Sequence, residues 1–271
     1  DEAARREVLT CQMHVTSDCV IEFPYEAALA IKAAPETRLG RVSEIKQVSS
    51  NVTRLVVALE DGAAPISFLP GQYVHLGVPG ADAQRSYSFA NSPESTDGSL
   101  EFFVKLLDDG VMSDYLSSRA QISDQMPVTG PFGRFYLRPP TRPIVMVAGG
   151  TGLAPMLSMF GAMIETGATD QPVHLLYGAN TPEELFGEDL LRSYQTAGVN
   201  LTTELAVVTP DDSWNRATGH VTSLLRPEII IGGDCDVYLC GPPPMIDAAD
   251  VWLRDNGVDG ANIHAEKFLA S

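Results

Sequence analysis

The rhythm of hydrophobic and polar positions changes twice along the chain. Two short apolar runs, Val8-Leu9-Thr10-Cys11-Gln12 and Cys19-Val20-Ile21-Glu22-Phe23, predict strands, and a linker ends near Ala33-Ala34-Pro35. Strands that short bury no core of their own, so this segment needs the rest of the chain, or sequence ahead of residue 1, to pack on. From about Arg38 to Leu137 the pattern is mostly strand. Val52 to Leu59 is β-branched, while Tyr73 to Val78 and Leu100 to Leu106 alternate, with Asp-Gly and Pro-Gly turns between them. Several short strands at this spacing predict an antiparallel barrel or sandwich, with one short helix over Ser113 to Arg119.

After Arg142 the period lengthens. Ile144-Val145-Met146-Val147-Ala148 is apolar on both faces, as a central parallel strand must be. A glycine turn and a helix over Ala154 to Thr166 follow. Then come strand Val173 to Tyr177, helix Pro182 to Thr196, strand Leu201 to Val207, helix Val221 to Leu225, strand Asp236 to Cys240 and helix Pro243 to Asn256. Asn262 to Phe268 closes the series as a strand. Such alternation predicts a parallel sheet with helices on both faces. The expected organisation is a short N-terminal piece (1–34), an antiparallel barrel (35–139) and an α/β region (140–271).

Composition narrows the function classes. The 271 residues are 44% hydrophobic and 20% charged, which supports buried cores rather than global disorder. A net charge of −17 repels nucleic acid and anionic membrane, and steers in partners that carry a basic patch. Ile144 to Ile164 is uncharged over a length that could span a bilayer. Its four glycines and Pro155 suit a buried strand, turn and helix instead. The start Asp-Glu-Ala-Ala-Arg-Arg lacks the apolar run of a signal peptide. Cysteines at 11, 19, 235 and 240 make no C-x-x-C pair, and the five histidines show no zinc spacing. Four thiols can form two disulfides, but two sizeable cores do not need them, so reduced thiols and a cytoplasmic location are expected.

Three motifs carry candidate chemistry. Gly149-Gly150-Thr151-Gly152-Leu153-Ala154-Pro155 joins the first strand and helix of the α/β region, where glycines admit a ligand and helix N–H groups meet a pyrophosphate. Proline at 155 departs from G-x-G-x-x-G and moves the reading away from an ordinary Rossmann turn. Cys240-Gly241-Pro242-Pro243-Pro244-Met245 ends a later strand, so it can line the same crevice. In Arg85-Ser86-Tyr87-Ser88 the arginine can neutralise a phosphate, the ring can cover a flat cofactor and a hydroxyl can bond a ring nitrogen.

Phe68-Leu69-Pro70-Gly71-Gln72-Tyr73-Val74, R-x-Y-S at Arg85 to Ser88, G-x-x-S at Gly110 to Ser113, G-G-T-G at Gly149 to Gly152, C-G-P at Cys240 to Pro242 and Glu266-Lys267-Phe268 occur in order. Together they resemble the ferredoxin–NADP reductase superfamily over roughly residues 38 to 271. The resemblance implies a six-stranded antiparallel FAD-binding barrel followed by a parallel-sheet NAD-binding α/β domain. It implies FAD contacts at Arg85, Ser86, Tyr87, Ser88, Val104, Lys105, Gly110, Val111, Met112, Ser113, Thr151 and Phe268. Nicotinamide nucleotide contacts are implied at Gly149, Gly150, Thr151, Gly152, Gly178, Cys240, Gly241, Pro242 and Met245. Ser88, Thr151, Cys240 and Glu266 would stand at the hydride path.

Val8-Leu9-Thr10-Cys11-Gln12 resembles the end of a plant-type [2Fe–2S] β-grasp ferredoxin domain, with Cys11 as its last metal ligand. Such a domain ahead of a flavin reductase resembles the reductases of aromatic ring-hydroxylating dioxygenases of the benzoate and anthranilate type. The cluster would then exist only in a longer chain, and a terminal oxygenase would be the partner. The reductase of a soluble diiron monooxygenase, or a nucleotide-binding electron-transfer subunit without turnover of its own, are the alternatives. NADH is expected over NADPH, because no arginine or lysine falls between Arg142 and Arg192, while Glu183, Glu184, Asp211 and Asp212 are acidic.

Overall fold

In the computed structural model the chain divides after Ala34, and Pro35–Ser271 is one compact unit. Residues 35–60, 65–94 and 98–268 are described. The two strands expected before residue 34, with Cys11, lie outside them.

Six strands form the first sheet: β1 (Glu36–Gln47), β2 (Val52–Leu59), β3 (Tyr73–Gly77), β4 (Gln84–Ser88), β5 (Ser99–Lys105) and β6 (Gln125–Phe132). They pair in the order β4-β3-β6-β1-β2-β5. Alternation drives the closure, since β3 buries Val74 and Leu76 while turning Tyr73, His75 and Gly77 outward. The two end strands approach each other, with Ala90 N–H donating to Glu101 O at 2.8 Å and Glu101 N–H to Asn91 Oδ1 at 3.0 Å. The result is a nearly closed antiparallel barrel around Leu55, Val57, Phe89, Phe102 and Val104. Helix α1 (Val111–Asp114) runs into a π-turn over Tyr115–Arg119, starting two residues before the helix read from the pattern.

The second sheet orders β10 (Ala217–Thr218), β9 (Leu201–Val207), β8 (Val173–Ala179), β7 (Ile144–Gly149), β11 (Asp236–Gly241) and β12 (Ile263–Lys267), all parallel. The continuous apolar runs in β7 and β11 are buried along almost their whole length, as both-face burial requires. Helices α2 (Leu153–Thr166), α3 (Glu188–Thr196), α4 (Pro227–Ile230) and α5 (Pro243–Asp255) connect the strands. The uncharged 144–164 stretch is therefore a strand, a turn and a helix. One helix expected over Pro182 to Thr196 is broken: Pro182–Glu184 is a single 3₁₀ turn, and Gly187 at φ 80° precedes α3. Among the described residues no helix is long and apolar enough to cross a membrane.

Barrel and α/β half share one apolar cluster, in which Val52, Ala90, Phe103 and Phe135 of the first meet Met156, Phe160, Phe186 and Tyr238 of the second. Polar bonds pin the same junction. Ser158 Oγ donates to Asn91 O at 2.7 Å, and Arg138 N–H donates to Tyr238 Oη at 2.8 Å. The halves are held in one packed body, which fixes the crevice between them.

Candidate cofactor cleft

A cleft of ≈ 910 Å³ runs along this junction, at the upper end of the size usual for ligand sites. Its barrel wall is built from side chains. Strand β4 brings Arg85, Ser86, Tyr87 and Ser88 to the cleft, and β5 ends there with Lys105. Ser86 Oγ lies 3.0 Å from His75 Nδ1. Burial pushes the Tyr87 phenol well up, so it stays a neutral ring. At the floor of this wall, Gly110 to Ser113 begin α1. A Cβ on Gly110 would stand 2.7 Å from Ser113 Oγ, so glycine lets the loop close over that hydroxyl. Ser113 Oγ accepts from Leu107 N–H at 2.8 Å, which leaves its own proton to donate.

The opposite wall is mostly backbone. Gly149, Gly150 and Thr151 at the carboxyl end of β7 line it, together with Gly178 after β8 and Pro242 to Met245 after β11. Gly150 sits at φ +54° with nothing within 4 Å of a Cβ, so it needs the left-handed region and faces open space. Helix α2 begins just behind it and supplies the positive end of its dipole. Pro155 is the third residue of α2, where it breaks no helical bond.

Of the expected residues described here, four do not line the cleft. Val104 is fully buried in the barrel core. Gly152 is a packing glycine: a Cβ there would fall 2.1 Å from Cys240 O, so any side chain would drive the turn off β11. Cys240 is 0% exposed, and burial, with the Glu266 carboxylate adding to it, pushes its thiol well up. It is a protonated, packed thiol. Gly241 stands behind the lining, at φ +151° against Met245 and Gly149. The remainder are brought together, joined by Glu184, whose acidity the sequence already set against NADPH, and by four residues the sequence did not point to, Tyr73, Phe103, His220 and Thr222. Those come from elements far apart in the chain, so no local pattern announced them.

Where the walls meet, Glu266 of β12 faces the barrel. It pairs in register with Cys240, and a Cβ on Gly133 would stand 3.5 Å from its Oε2. Burial raises its carboxyl above the ordinary range. Tyr73 is raised by burial and then by that carboxylate. Phe268 comes directly after the end of β12, with its N–H donating to Gly241 O at 2.9 Å. Arg216 is bound to Glu188 at 2.8 Å and does not line the cleft.

This arrangement fits two dinucleotides. Arg85, Lys105 and the Ser113 hydroxyl suit one pyrophosphate, and the glycine turn before α2 suits another. A barrel and a parallel sheet sharing such a cleft define a flavin- and nicotinamide-binding oxidoreductase. Residues 39–136 match the oxidoreductase FAD-binding domain and residues 146–250 the oxidoreductase NAD-binding domain. The chain is 38% identical to the toluate 1,2-dioxygenase electron transfer component of Pseudomonas putida, covering 100% of this chain and 79% of that one. It is also 38% identical to the 2-halobenzoate 1,2-dioxygenase electron transfer component of Burkholderia cepacia, covering 99% and 78%. Among solved structures, the ferredoxin reductase in carbazole 1,9a-dioxygenase superposes with a TM-score of 0.77 at 27% identity, covering 88% of this chain and 71% of that one. The chain belongs to the ferredoxin–NADP reductase family, in the flavoprotein reductase branch that includes dioxygenase electron transfer components.

Proposed function

We propose that this protein is the NADH-dependent reductase of a cytoplasmic ring-hydroxylating dioxygenase system. It would pass electrons from NADH through FAD, and through a [2Fe–2S] cluster of the longer chain, to a terminal oxygenase. The observation that carries this reading is the cleft in which both motif sets, from separate stretches of the sequence, line facing walls. A flavin held there accepts two electrons as hydride from the nicotinamide and can give them up singly; the protein supplies position and electrostatics.

Each residue has a task in that arrangement. Arg85 and the Ser113 hydroxyl hold the flavin pyrophosphate, with Lys105 beside them. Tyr87 covers one face of the ring system, and Ser88, 5% exposed, presents its hydroxyl to a fixed place. Gly149, Gly150 and Thr151 let the second dinucleotide approach the backbone, with Gly178, Pro242 and Met245 setting the width of the slot. Cys240 acts through packing, since a buried thiol of raised pKa neither attacks nor donates readily. Glu266, whose carboxyl burial raises above its ordinary range, is the group suited to hold or pass a proton at the meeting point of the walls. Phe268 would stand near the flavin ring. Cys11 is proposed as a cluster ligand, and residues 35–139 and 140–271 as the FAD and NAD domains.

The nucleotide wall supports NADH. Its lysine, Lys267, is tied to Asp247 at 2.6 Å, and Arg216 is held by Glu188. The names of the relatives support an aromatic-ring dioxygenase as the acceptor. Reconstitution decides it: the full-length reductase with NADH should drive product formation by a purified ring-hydroxylating dioxygenase. Turnover only with a soluble diiron monooxygenase would favour that system instead, and turnover with neither would leave a nucleotide-binding subunit.

A further inference from the structure

Among the described residues two carboxylates line the cleft, Glu184 and Glu266. Glu266 belongs to the meeting point of the walls. Glu184 stands elsewhere, in the loop after β8, and a negative charge there opposes any polyphosphate ligand.

Its surroundings hold it in place. Glu184 accepts from Asn180 Nδ2 at 3.4 and 3.3 Å, and Lys105 Nζ of the barrel lies 3.8 Å from its Oε2. The loop itself is clamped to the barrel, with Ser50 N–H donating to Glu183 O at 2.9 Å and the Phe103 and Phe186 rings 4.6 Å apart. The side chain is 18% exposed, so solvent screening is partial. Asn180 O in turn accepts from Thr209 N–H at 2.7 Å, joining the ends of β8 and β9.

That is where the adenosine of a nicotinamide dinucleotide must lie. The turn after β7 takes the pyrophosphate, and ligands of open α/β sheets extend over the carboxyl ends of neighbouring strands. A phosphate on the adenosine ribose brings nearly two further negative charges and needs a free arginine or lysine. Here it would meet a fixed carboxylate whose neighbouring cation, Lys105, is shared between that carboxylate and the flavin pyrophosphate. A ribose hydroxyl, by contrast, can donate to that carboxylate.

We propose that Glu184 is a specificity-determining residue: through the Lys105–Glu184–Asn180 bridge it makes the nucleotide wall reject the additional phosphate of NADPH. This rests on the reading of the cleft as an NADH site. The test uses the FAD-loaded full chain with ferricyanide as acceptor, comparing kcat/KM for NADH and NADPH in wild type and Glu184→Gln. The NADPH:NADH ratio should rise about tenfold in the variant, and high salt should narrow the gap by raising the wild-type ratio, because screening weakens the repulsion by Glu184. Lys105→Gln, which leaves the carboxylate uncompensated, should move the ratio the other way, and it carries the test if Glu184→Gln does not fold. An unchanged ratio, or equal shifts for both nucleotides, would overturn the proposal. Binding of adenosine 2′,5′-bisphosphate against AMP gives the same comparison without turnover. If wild type oxidises neither nucleotide, the reductase reading fails, while tighter bisphosphate binding by Glu184→Gln would still support the role of Glu184.

Discussion

The two walls of the cleft are built on opposite plans. The barrel wall offers a guanidinium, an ammonium, hydroxyls and a neutral phenol, each carried on a strand or a helix start. The α/β wall offers glycines, prolines and a helix terminus, and its lysine, Lys267, is tied to Asp247. A wall of charge-assisted donors suits a cofactor that stays, since each such bond contributes about 1.5–3 kcal/mol. Backbone that merely permits close approach suits a nucleotide that must arrive and leave within a turnover. Side chains therefore retain on one side, and shape admits on the other.

The contrast can be broken with one methyl group in the turn packed behind the α/β wall. Gly152→Ala should give the largest effect, because the added Cβ would fall 2.1 Å from a backbone oxygen. NADH-driven reduction should be lost while FAD is retained, read as flavin content against NADH oxidation; retention of full activity would show that the turn is not limiting. On the barrel wall one charge matters more than one methyl. Arg85→Ala should weaken FAD binding about 10–100-fold, the span of a lost charge-assisted bond, measured by flavin fluorescence titration.

Smaller effects sharpen the comparison. Glu188→Ala frees Arg216, so NADPH oxidation should rise a few-fold, roughly the worth of an exposed ion-pair partner; steady-state kinetics with both nucleotides checks it. Glu266→Gln tests the meeting point of the walls. The carboxyl of Glu266 is raised in the folded protein, so the native state binds the proton more tightly than the unfolded chain does. Its contribution to stability is then lost as pH rises from its ordinary range through the raised value. The glutamine variant should melt about 2 °C higher than wild type near neutrality, with the gap closing in acid. A gap constant with pH would remove Glu266 from that role.

Strand β7, helix α2 and the motif at Arg85 to Ser88 were legible because each is a local pattern: a both-face apolar run, a mostly apolar helix after a glycine turn, and a short signature. β1 was not legible as a strand. Its burial is broken by a shift in pairing between Val42 and Glu44, which destroys the alternation. The helix over 182–196 failed at Gly187, whose left-handed backbone a propensity reading does not see. Gly152 shows the limit most clearly. In a glycine-rich turn every glycine reads as a ligand contact, yet this one exists to let Cys240 approach. The Lys105–Glu184 bridge joins residues from different halves, and only the folded cleft brings them together.

The most direct measurement is anaerobic mixing of the FAD-loaded protein with NADH while the visible flavin absorption is followed. If the facing walls bring the two cofactors together, NADH should bleach that absorption rapidly, and far more slowly in Gly152→Ala than in wild type. A flavin that stays yellow under excess NADH would contradict the reading of this cleft as a hydride-transfer site.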